Sequence, residues 1–219
     1  MLNSLILFLF ISINFFIIKN FSKLKILHIN LDIPDNLRKI HSKPTPLAGG
    51  IIIFFNIFLY HLIVLSLPNL FLSDKEFFKD INEVNIFFFS TTAIFIIGFL
   101  DDKINLKATL KFFLSLIIIF FLIKADNGLL ITNIQLSFYP NNIALGPYSL
   151  FFTIFCFLVF INAFNMFDGI NLQSSFYSLI IFLSISFLYI NLFFVNMMII
   201  VLIFFSYLNF INKSFLGDS

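Results

Sequence analysis

The sequence is poor in charge, cysteine and histidine. Only 11% of its 219 residues are charged while 60% are hydrophobic, a balance that excludes a soluble globular domain. Thirteen Lys and Arg against eleven Asp and Glu leave a formal charge of +2 without a basic block, so no nucleic-acid partner is expected. The single cysteine, Cys156, lies in an apolar run, and the three histidines are scattered. A disulfide framework and a thiolate or histidine metal site are therefore excluded.

Long apolar stretches are what the sequence does have. A membrane-spanning helix needs about 20 mostly apolar residues. Seven stretches approach that length: residues 2–18, 47–67, 85–100, 108–123, 148–164, 174–190 and 193–211. The first lacks the basic leader and cleavage site of a signal peptide and is followed by three lysines, so it is predicted to be a retained helix. The pattern predicts an all-α polytopic membrane protein with about seven transmembrane helices, forming a single integral-membrane domain over residues 1–219.

The distribution of basic residues predicts the orientation of these helices. If the N-terminus lies outside, ten basic residues fall on the inner side, and the positive-inside rule favours that arrangement. The ten are Lys19, Lys23, Lys25, Arg38, Lys39, Lys43, Lys103, Lys107, Lys111 and Lys213, against Lys75, Lys79 and Lys124 outside. Turn signals at residues 126–128 and 139–142 flank an alternating stretch, which predicts a short outside β-hairpin near 129–139.

Four inner segments carry most of the polar chemistry: residues 34–50, 98–111, 162–172 and 212–219. They bring carboxylates to the same end of the predicted bundle, namely Asp101, Asp102, Asp168 and Asp218. Carboxylates in low dielectric need compensation, and such a hard oxygen cluster suits Mg²⁺, with Mn²⁺ as an alternative. Lysines four residues apart, Lys107 and Lys111, repel each other unless an anion such as a phosphate lies nearby.

Simpler structural roles remain open for the same residues. A single aspartate before a helix is often an N-cap, which applies to Asp101 or Asp102 taken alone. Asn162 and Asn165 lie with Asp168 on one helical face, where they either line a cavity or hydrogen-bond neighbouring helices. The pair Gly49–Gly50 permits either a close helix contact or a close approach of backbone to phosphate.

In this order and topology, the four segments resemble the polyprenyl-phosphate N-acetylhexosamine-1-phosphate transferase superfamily, which is glycosyltransferase family 4. The matching motifs are PDNLRKIH (34–41) with KPTPLAGG (43–50), GFLDD (98–102) with Lys107 and Lys111, NAFNMFDG (162–169), and FLGDS (215–219). The first loop looks closer to the branch that uses UDP-N-acetylhexosamines. The resemblance covers the whole chain.

The resemblance implies an enzyme, a Mg²⁺-dependent phosphotransferase of cell-envelope polysaccharide biosynthesis. It would transfer a HexNAc-1-phosphate from a UDP-N-acetylhexosamine to undecaprenyl (polyprenyl) phosphate and release UMP. The implied setting is a bacterial inner (plasma) membrane, with a multi-pass chain in the lipid bilayer and the active face cytoplasmic; a homodimer is compatible with it.

The resemblance also implies roles for individual residues. Asp101 and Asp102 would be catalytic, and Asp218 and Asp168 would bind the metal. Substrate-binding residues would be Lys43, Thr45, Lys111, Asn162, Asn165 and Asp168.

Two departures from the family pattern bear on activity. Asn171 and Leu172 replace the aspartate and glycine that usually follow the Asp-Gly pair. The family also continues beyond position 219 with more spans and a late inner loop rich in histidine and arginine, so the chain resembles the N-terminal part of that fold. We therefore expect weak UDP-sugar binding and little turnover from these 219 residues alone. The alternative function is an inactive homologue that binds nucleotide sugar or lipid phosphate; a transporter is disfavoured because no internal repeat is visible.

Overall fold

The structure, a computed structural model, describes residues 2–34, 43–67, 70, 72–138, 141–167, 171–189 and 192–218. Within them the chain forms seven long α-helices and two pairs of very short strands. The helices are α1 (Leu2–Lys19), α2 (Gly49–Ser66), α3 (Ile81–Ile104), α4 (Ala108–Ala125), α5 (Ser149–Phe167), α6 (Gln173–Leu188) and α7 (Phe193–Phe210). The strands are β1 (Leu31–Asp32), β2 (Thr45–Pro46), β3 (Asn133–Ile134) and β4 (Ile143–Ala144).

The predicted all-α membrane fold is confirmed. Of the helices in the described ranges, six are long and apolar enough to cross a membrane, while α6, with 16 residues, is shorter. Helix α3 extends beyond the predicted 85–100 at both ends because polar residues continue it. The side chain of Asp80 caps its start by accepting a hydrogen bond from Glu83 N at 2.9 Å, and Asn105, with a φ of 50°, ends it.

The predicted outer hairpin forms in a shifted position. Asn133 pairs with Ala144 and Ile134 with Ile143 in antiparallel register. The second strand therefore lies beyond the predicted end at residue 139, because the turn signals at 139–142 lie between the two strands and not after both. The first pair, β1 with β2, is also antiparallel and joins Leu31 to Pro46 and Asp32 to Thr45.

Helix α7 lies at the centre of the main core, packed against α1, α2 and α6. It is apolar around most of its circumference, and most of its residues are buried, as expected for a helix inside a bundle. A reciprocal amide pair joins its two neighbours: Asn14 of α1 and Asn56 of α2 are buried and donate to each other at 2.8 and 3.2 Å. Side-chain hydrogen bonds of this kind hold helices together inside a membrane.

A buried carboxylate fixes the start of α7. Asp74 accepts hydrogen bonds from Tyr60 Oη at 2.8 Å and from Phe194 N at 3.0 Å, and none of its surface is exposed. A carboxylate at this position satisfies an unpaired N–H group in the first turn of the helix and is favoured by the helix dipole. The contact lies at one end of the bundle; the predicted site residues Asp101, Asp102 and Asp218 lie at the other end.

We call that other end the lysine-rich end. There α1, α3, α5 and α7 finish, α2, α4 and α6 begin, and β1 and β2 pair. A second, smaller core between α4 and α5 consists of Ile119, Ile123, Ile154 and Leu158. Much of the remaining surface of α4, α5 and α6 is apolar and exposed, as expected for helices that face lipid.

Candidate functional site

The candidate site lies at the lysine-rich end, where α3 finishes, α4 begins and the segment after α7 returns to them. Lys111 Nζ donates a hydrogen bond to Asp101 Oδ2 at 2.8 Å and a second, shorter one to Asp218 Oδ2. The backbone N–H of Asp218 donates to Asp102 Oδ1 at 2.8 Å. We call Asp101, Asp102, Asp218 and Lys111 the carboxylate cluster.

Asp101 also fixes the end of its own helix. Its Oδ1 accepts a hydrogen bond from Leu106 N at 2.8 Å, in the linker between α3 and α4. The residue before α4 is Lys107, which makes no side-chain cap. The N-cap alternative for Asp101 and Asp102 is therefore excluded, because both lie inside α3 and neither caps α4.

The segment that carries Asp218 is held against the start of α2. Phe215 N donates to Pro46 O at 2.9 Å, while Gly49 N and Gly50 N donate to the carbonyls of Phe215 and Leu216 at 3.0 and 3.1 Å. The first N–H groups of a helix have no partner within the helix, and here these carbonyls satisfy two of them.

Gly49 allows that approach. A Cβ at Gly49 would lie 2.6 Å from the Phe205 ring and 2.7 Å from Leu216 Cα. Of the two roles left open for Gly49–Gly50, the structure thus supports a close packing contact. The same contact sets the position of Asp218, two residues after Leu216.

Gly217 allows the backbone conformation that places Asp218 beside Asp102. Its φ is +80°, a conformation that glycine adopts without steric cost, and a Cβ there would lie 2.7 Å from Asp102 Oδ2. A side chain at 217 would therefore push against Asp102 and displace Asp218 N from its hydrogen bond.

The cluster carries excess negative charge. Three carboxylates and one ammonium group give it a formal charge of −2, partly shielded from water because Asp101, Asp102 and Lys111 are half-buried. Burial raises the pKa of the Asp218 carboxyl, and its hydrogen bonding with Asp101 adds to the rise while Lys111 opposes it. The arrangement favours the approach of a further cation.

The cluster contains ligand atoms of the type that magnesium prefers, but Lys111 lies between two of its carboxylates. Carboxylate oxygens with an amide nearby are hard oxygen ligands, and no thiolate or imidazole of the described residues lies among them. In the part of the chain that the structure describes, no three acidic, histidine or cysteine side chains converge on one metal position. Lys111 supplies the cation between Asp101 and Asp218. Asp168, predicted as a further ligand, lies outside the described residues.

The structure brings some predicted substrate-binding residues to the cluster. Asn165, at the end of α5, donates to Asp218 Oδ2 at 3.3 Å. Asn162 is exposed and donates instead to the carbonyl of Leu158 in its own helix at 2.8 Å. Of the two asparagines, only Asn165 contacts the cluster in the described structure.

Two predicted substrate-binding residues, Lys43 and Thr45, belong to the described part of the first inner segment (34–50). Thr45 is buried in β2, and its hydroxyl donates to Lys43 O at 3.1 Å. Lys43 is exposed and lies two residues before this strand. The rest of the loop, residues 35–42, lies outside the described residues.

Asn209 is a polar residue that sequence reasoning missed. It is buried near the end of α7, accepts a hydrogen bond from Leu172 N at 2.5 Å and donates one to Ser214 O at 2.9 Å. It therefore ties the loop after Asp168 to the segment before Asp218. Its signal in the sequence was an amide near the end of an otherwise apolar span.

The departure at Leu172 has a conformational consequence. Leu172 has a φ of 70°, a left-handed conformation that costs a residue with a Cβ about 1 kcal/mol. Its neighbour Asn171 donates a short hydrogen bond to Asn212 Oδ1. The hydrogen bonds of Asn171 and Leu172 to Asn212 and Asn209 hold the loop in this strained form.

Comparison with known proteins places these motifs in a family. Residues 84–219, well over half of the chain, match the model described as Glycosyl transferase family 4. The matched region contains the whole carboxylate cluster, together with Asn165 and Asn209.

Curated relatives point the same way. The undecaprenyl-phosphate alpha-N-acetylglucosaminyl 1-phosphate transferase of Yersinia pestis is 27% identical over 136 residues, which cover 62% of this chain and 33% of the relative. The protein of the same name from Salmonella typhi is 27% identical over 165 residues, covering 75% of this chain and 40% of the relative. That of Escherichia coli K12 is 26% identical over 141 residues. The chain thus spans about a third to two fifths of the length of the relatives it matches.

Proposed function

The chain belongs to glycosyl transferase family 4, and from that premise we propose that it transfers an N-acetylhexosamine 1-phosphate from a UDP-sugar to polyprenyl phosphate. The observation that carries the proposal is the carboxylate cluster, in which Lys111 joins Asp101 to Asp218. We place the reaction in a bacterial plasma membrane, with the lysine-rich end cytoplasmic.

The reaction exchanges one phosphoanhydride bond for another. An oxygen of polyprenyl phosphate attacks the β-phosphorus of the UDP-sugar, the bond from that phosphorus to the bridging oxygen breaks, and UMP leaves with the electron pair. The products are a polyprenyl diphosphate sugar and UMP. Such phosphoryl transfer depends on positioning and on cations that absorb the spreading charge.

The residues of the cluster divide these tasks. Asp101 and Asp102, half-buried at the end of α3, would orient the acceptor phosphate, and Lys111 would turn from the carboxylates toward the phosphates once these arrive. Asp218, with Asp168, would hold the divalent ion, and Asn165, Asn162, Lys43 and Thr45 would line the nucleotide-sugar side. Magnesium, when bound, would neutralise the diphosphate and stabilise the leaving oxygen.

A second candidate is binding without turnover. It is favoured by Lys111, whose ammonium group pairs with Asp101 and Asp218 and so neutralises part of the charge that would attract a metal ion. A protein of this kind would hold UDP-sugar or lipid phosphate at the same end of the bundle and release it unchanged.

A transfer assay separates the two candidates. Membranes containing the chain receive sugar-labelled UDP-N-acetylglucosamine and polyprenyl phosphate, and label in the lipid fraction is counted with Mg²⁺ and with EDTA. A second version, in which the chain is joined to the C-terminal segment of the Yersinia pestis relative, is assayed in parallel. We expect strong Mg²⁺-dependent labelling from the joined version and weak labelling from the 219 residues alone.

Variants identify the source of the activity. Asp101→Asn, Asp102→Asn and Asp218→Asn should each abolish labelling by the joined version, whereas Asp126→Asn, at the opposite end of the bundle, should not. Full activity in EDTA would contradict the metal-dependent transfer. UDP-sugar binding without labelling in either version would establish the binding protein instead.

A further inference from the structure

A segment at the lysine-rich end has no part in the proposed chemistry. Residues 19–33, which we call the interfacial segment, link the end of α1 to β1 through two short 3-10 turns, Phe21–Lys23 and Lys25–His28. It lies at the same end of the bundle as the carboxylate cluster, because Asn30 Nδ2 donates to Phe99 O at 3.3 Å and Leu47 N donates to Asn30 O at 3.0 Å.

Buried side chains attach the interfacial segment to the main core. Phe21 and Leu27 are buried in the main core, and Asn30 is buried beside them. His28 Nε2 lies 3.1 Å from Phe21 O, and the His28 ring packs on the Phe21 ring with centroids 5.1 Å apart. A chain held at these points keeps its other side chains in a defined surface and does not behave as a free linker.

That surface combines cations with exposed aliphatic side chains. Lys19, Lys23 and Lys25 are all exposed, and among the described residues none of them takes part in an ion pair. Four large aliphatic residues that follow them are exposed too: Ile26 by 62%, Ile29 by 49%, Leu31 by 45% and Ile33 by 64%.

The two features call for the same partner. Exposed aliphatic side chains next to the end of a spanning helix lie at the level where headgroups meet acyl chains, and there their burial is favourable. Lysines at that level attract anionic headgroups. A need to orient the helices explains the lysines alone but leaves the four aliphatic residues without a role.

We propose that the interfacial segment is a binding surface for anionic phospholipids, with Lys19, Lys23 and Lys25 on the phosphate groups and the four aliphatic side chains among the upper acyl chains. The occupant is the bulk anionic phospholipid of the bilayer. The proposed lipid surface does not depend on catalysis, so it can be tested independently of the transfer reaction.

The absence of tryptophan from the sequence allows a direct test. Ile26→Trp places a single fluorophore at an exposed position of the segment, and Tyr148→Trp, 74% exposed at the opposite end, provides the matched control. The full chain is reconstituted in bilayers of phosphatidylcholine and phosphatidylglycerol, with bromine on the acyl chains of one lipid at a time. Quenching by each brominated lipid reports which lipid lies next to the tryptophan.

We expect phosphatidylglycerol to be enriched about fivefold over phosphatidylcholine next to Trp at 26 and not at 148. The enrichment should disappear in 0.5 M salt, because the Debye length falls to about 4 Å at that strength and exposed charges are then screened. It should also disappear in the combined Lys19→Gln, Lys23→Gln and Lys25→Gln variant, while the same change at Lys75, Lys79 and Lys124 should leave it intact.

Three results would overturn the proposal. These are equal enrichment at the two tryptophan positions, enrichment that survives loss of the three lysines, and displacement of the brominated lipid by a few mole per cent of polyprenyl phosphate. The last would assign the surface to a different phosphate-bearing lipid. Mass spectrometry of phospholipid retained by the tryptophan-free chain, with and without the lysine changes, provides a second measurement that does not depend on the inserted fluorophore.

Discussion

The two cores of the molecule differ in how completely their helices are enclosed. Helix α7 packs against α1, α2, α6 and part of α3 and has most of its residues buried, whereas α4 and α5 share only a narrow seam and expose apolar surface elsewhere. The carboxylate cluster takes residues from both regions, with Asp218 following α7 and Lys111 in α4. The more enclosed region thus sets the position of one carboxylate, and the less enclosed region supplies the cation that meets it.

The difference predicts separate consequences for changes in chemistry and in packing. A membrane helix loses little by facing lipid, because lipid is as apolar as a side chain. Packing within the α7 core should therefore govern stability, and residues of the carboxylate cluster should govern activity.

The largest effect is expected at Lys111. Lys111→Gln removes the cation shared by Asp101 and Asp218, and loss of a comparable cation in phosphoryl transfer lowers the rate by about 10³ to 10⁵. Lys107→Gln, one turn earlier and exposed, provides the matched control and should have a much smaller effect. Label transfer by the joined version measures both; equal losses would contradict a specific role for Lys111.

The next effect compares two phenylalanines on spanning helices. Phe205 of α7 is 1% exposed and packs closely against Gly49, while Phe151 of α5 is 72% exposed. Phe205→Ala should destabilise the chain by about 3–5 kcal/mol because it opens a cavity, and Phe151→Ala by far less. Thermal unfolding in detergent measures the difference; similar melting temperatures would refute the division into two regions.

A smaller effect is expected at Asn209. Asn209→Ala leaves Leu172 N and Ser214 O without their partner, at a cost of about 1–3 kcal/mol. The loops that carry Asp168 and Asp218 should then lose their fixed spacing, so UDP-sugar affinity should fall along with stability. Asn196→Ala in the same helix is the control, since among the described residues the Asn196 side chain makes only one long hydrogen bond, accepted from Ser186 Oγ at 3.4 Å. Unchanged affinity in Asn209→Ala would assign Asn209 to stability alone.

The smallest effect is a gain. Leu172→Gly should relieve the left-handed strain at φ 70° and stabilise the chain by up to about 1 kcal/mol, less the flexibility that glycine adds to the unfolded chain. Denaturation of the variant beside the parent chain measures the change. A marked destabilisation would mean that contacts of the leucine side chain outweigh the backbone strain.

Much of the fold could be predicted from the sequence because membrane helices are recognised by their length and their apolar composition. The apolar stretch 193–211 predicted α7 almost to the residue, and basic-residue counting gathered Asp101, Asp102 and Asp218 at one end. The ends of α3 were misjudged because an apolar window does not register the capped, polar turns at Asp80 and Asn105.

What could not be predicted were contacts between distant segments. Nothing in the sequence pairs Gly49 with Phe215, or shows that Lys111 bonds Asp218, since both contacts depend on how α2, α4 and the segment after α7 meet. The left-handed conformation of Leu172 also depends on a tertiary contact, because leucine itself disfavours it and the hydrogen bond to Asn209 holds it in place.

The most direct test is the affinity of the 219-residue chain for UDP-N-acetylglucosamine in detergent, measured by titration calorimetry with Mg²⁺ and with EDTA, for the parent chain and for Asp218→Asn. If the carboxylate cluster binds a dication and a diphosphate together, UDP-N-acetylglucosamine binding should need Mg²⁺ and should be lost in Asp218→Asn. The melting temperatures of the two proteins should agree. Equal affinity in EDTA, or an unchanged affinity in Asp218→Asn, would contradict the assignment of the carboxylate cluster as the metal and substrate site.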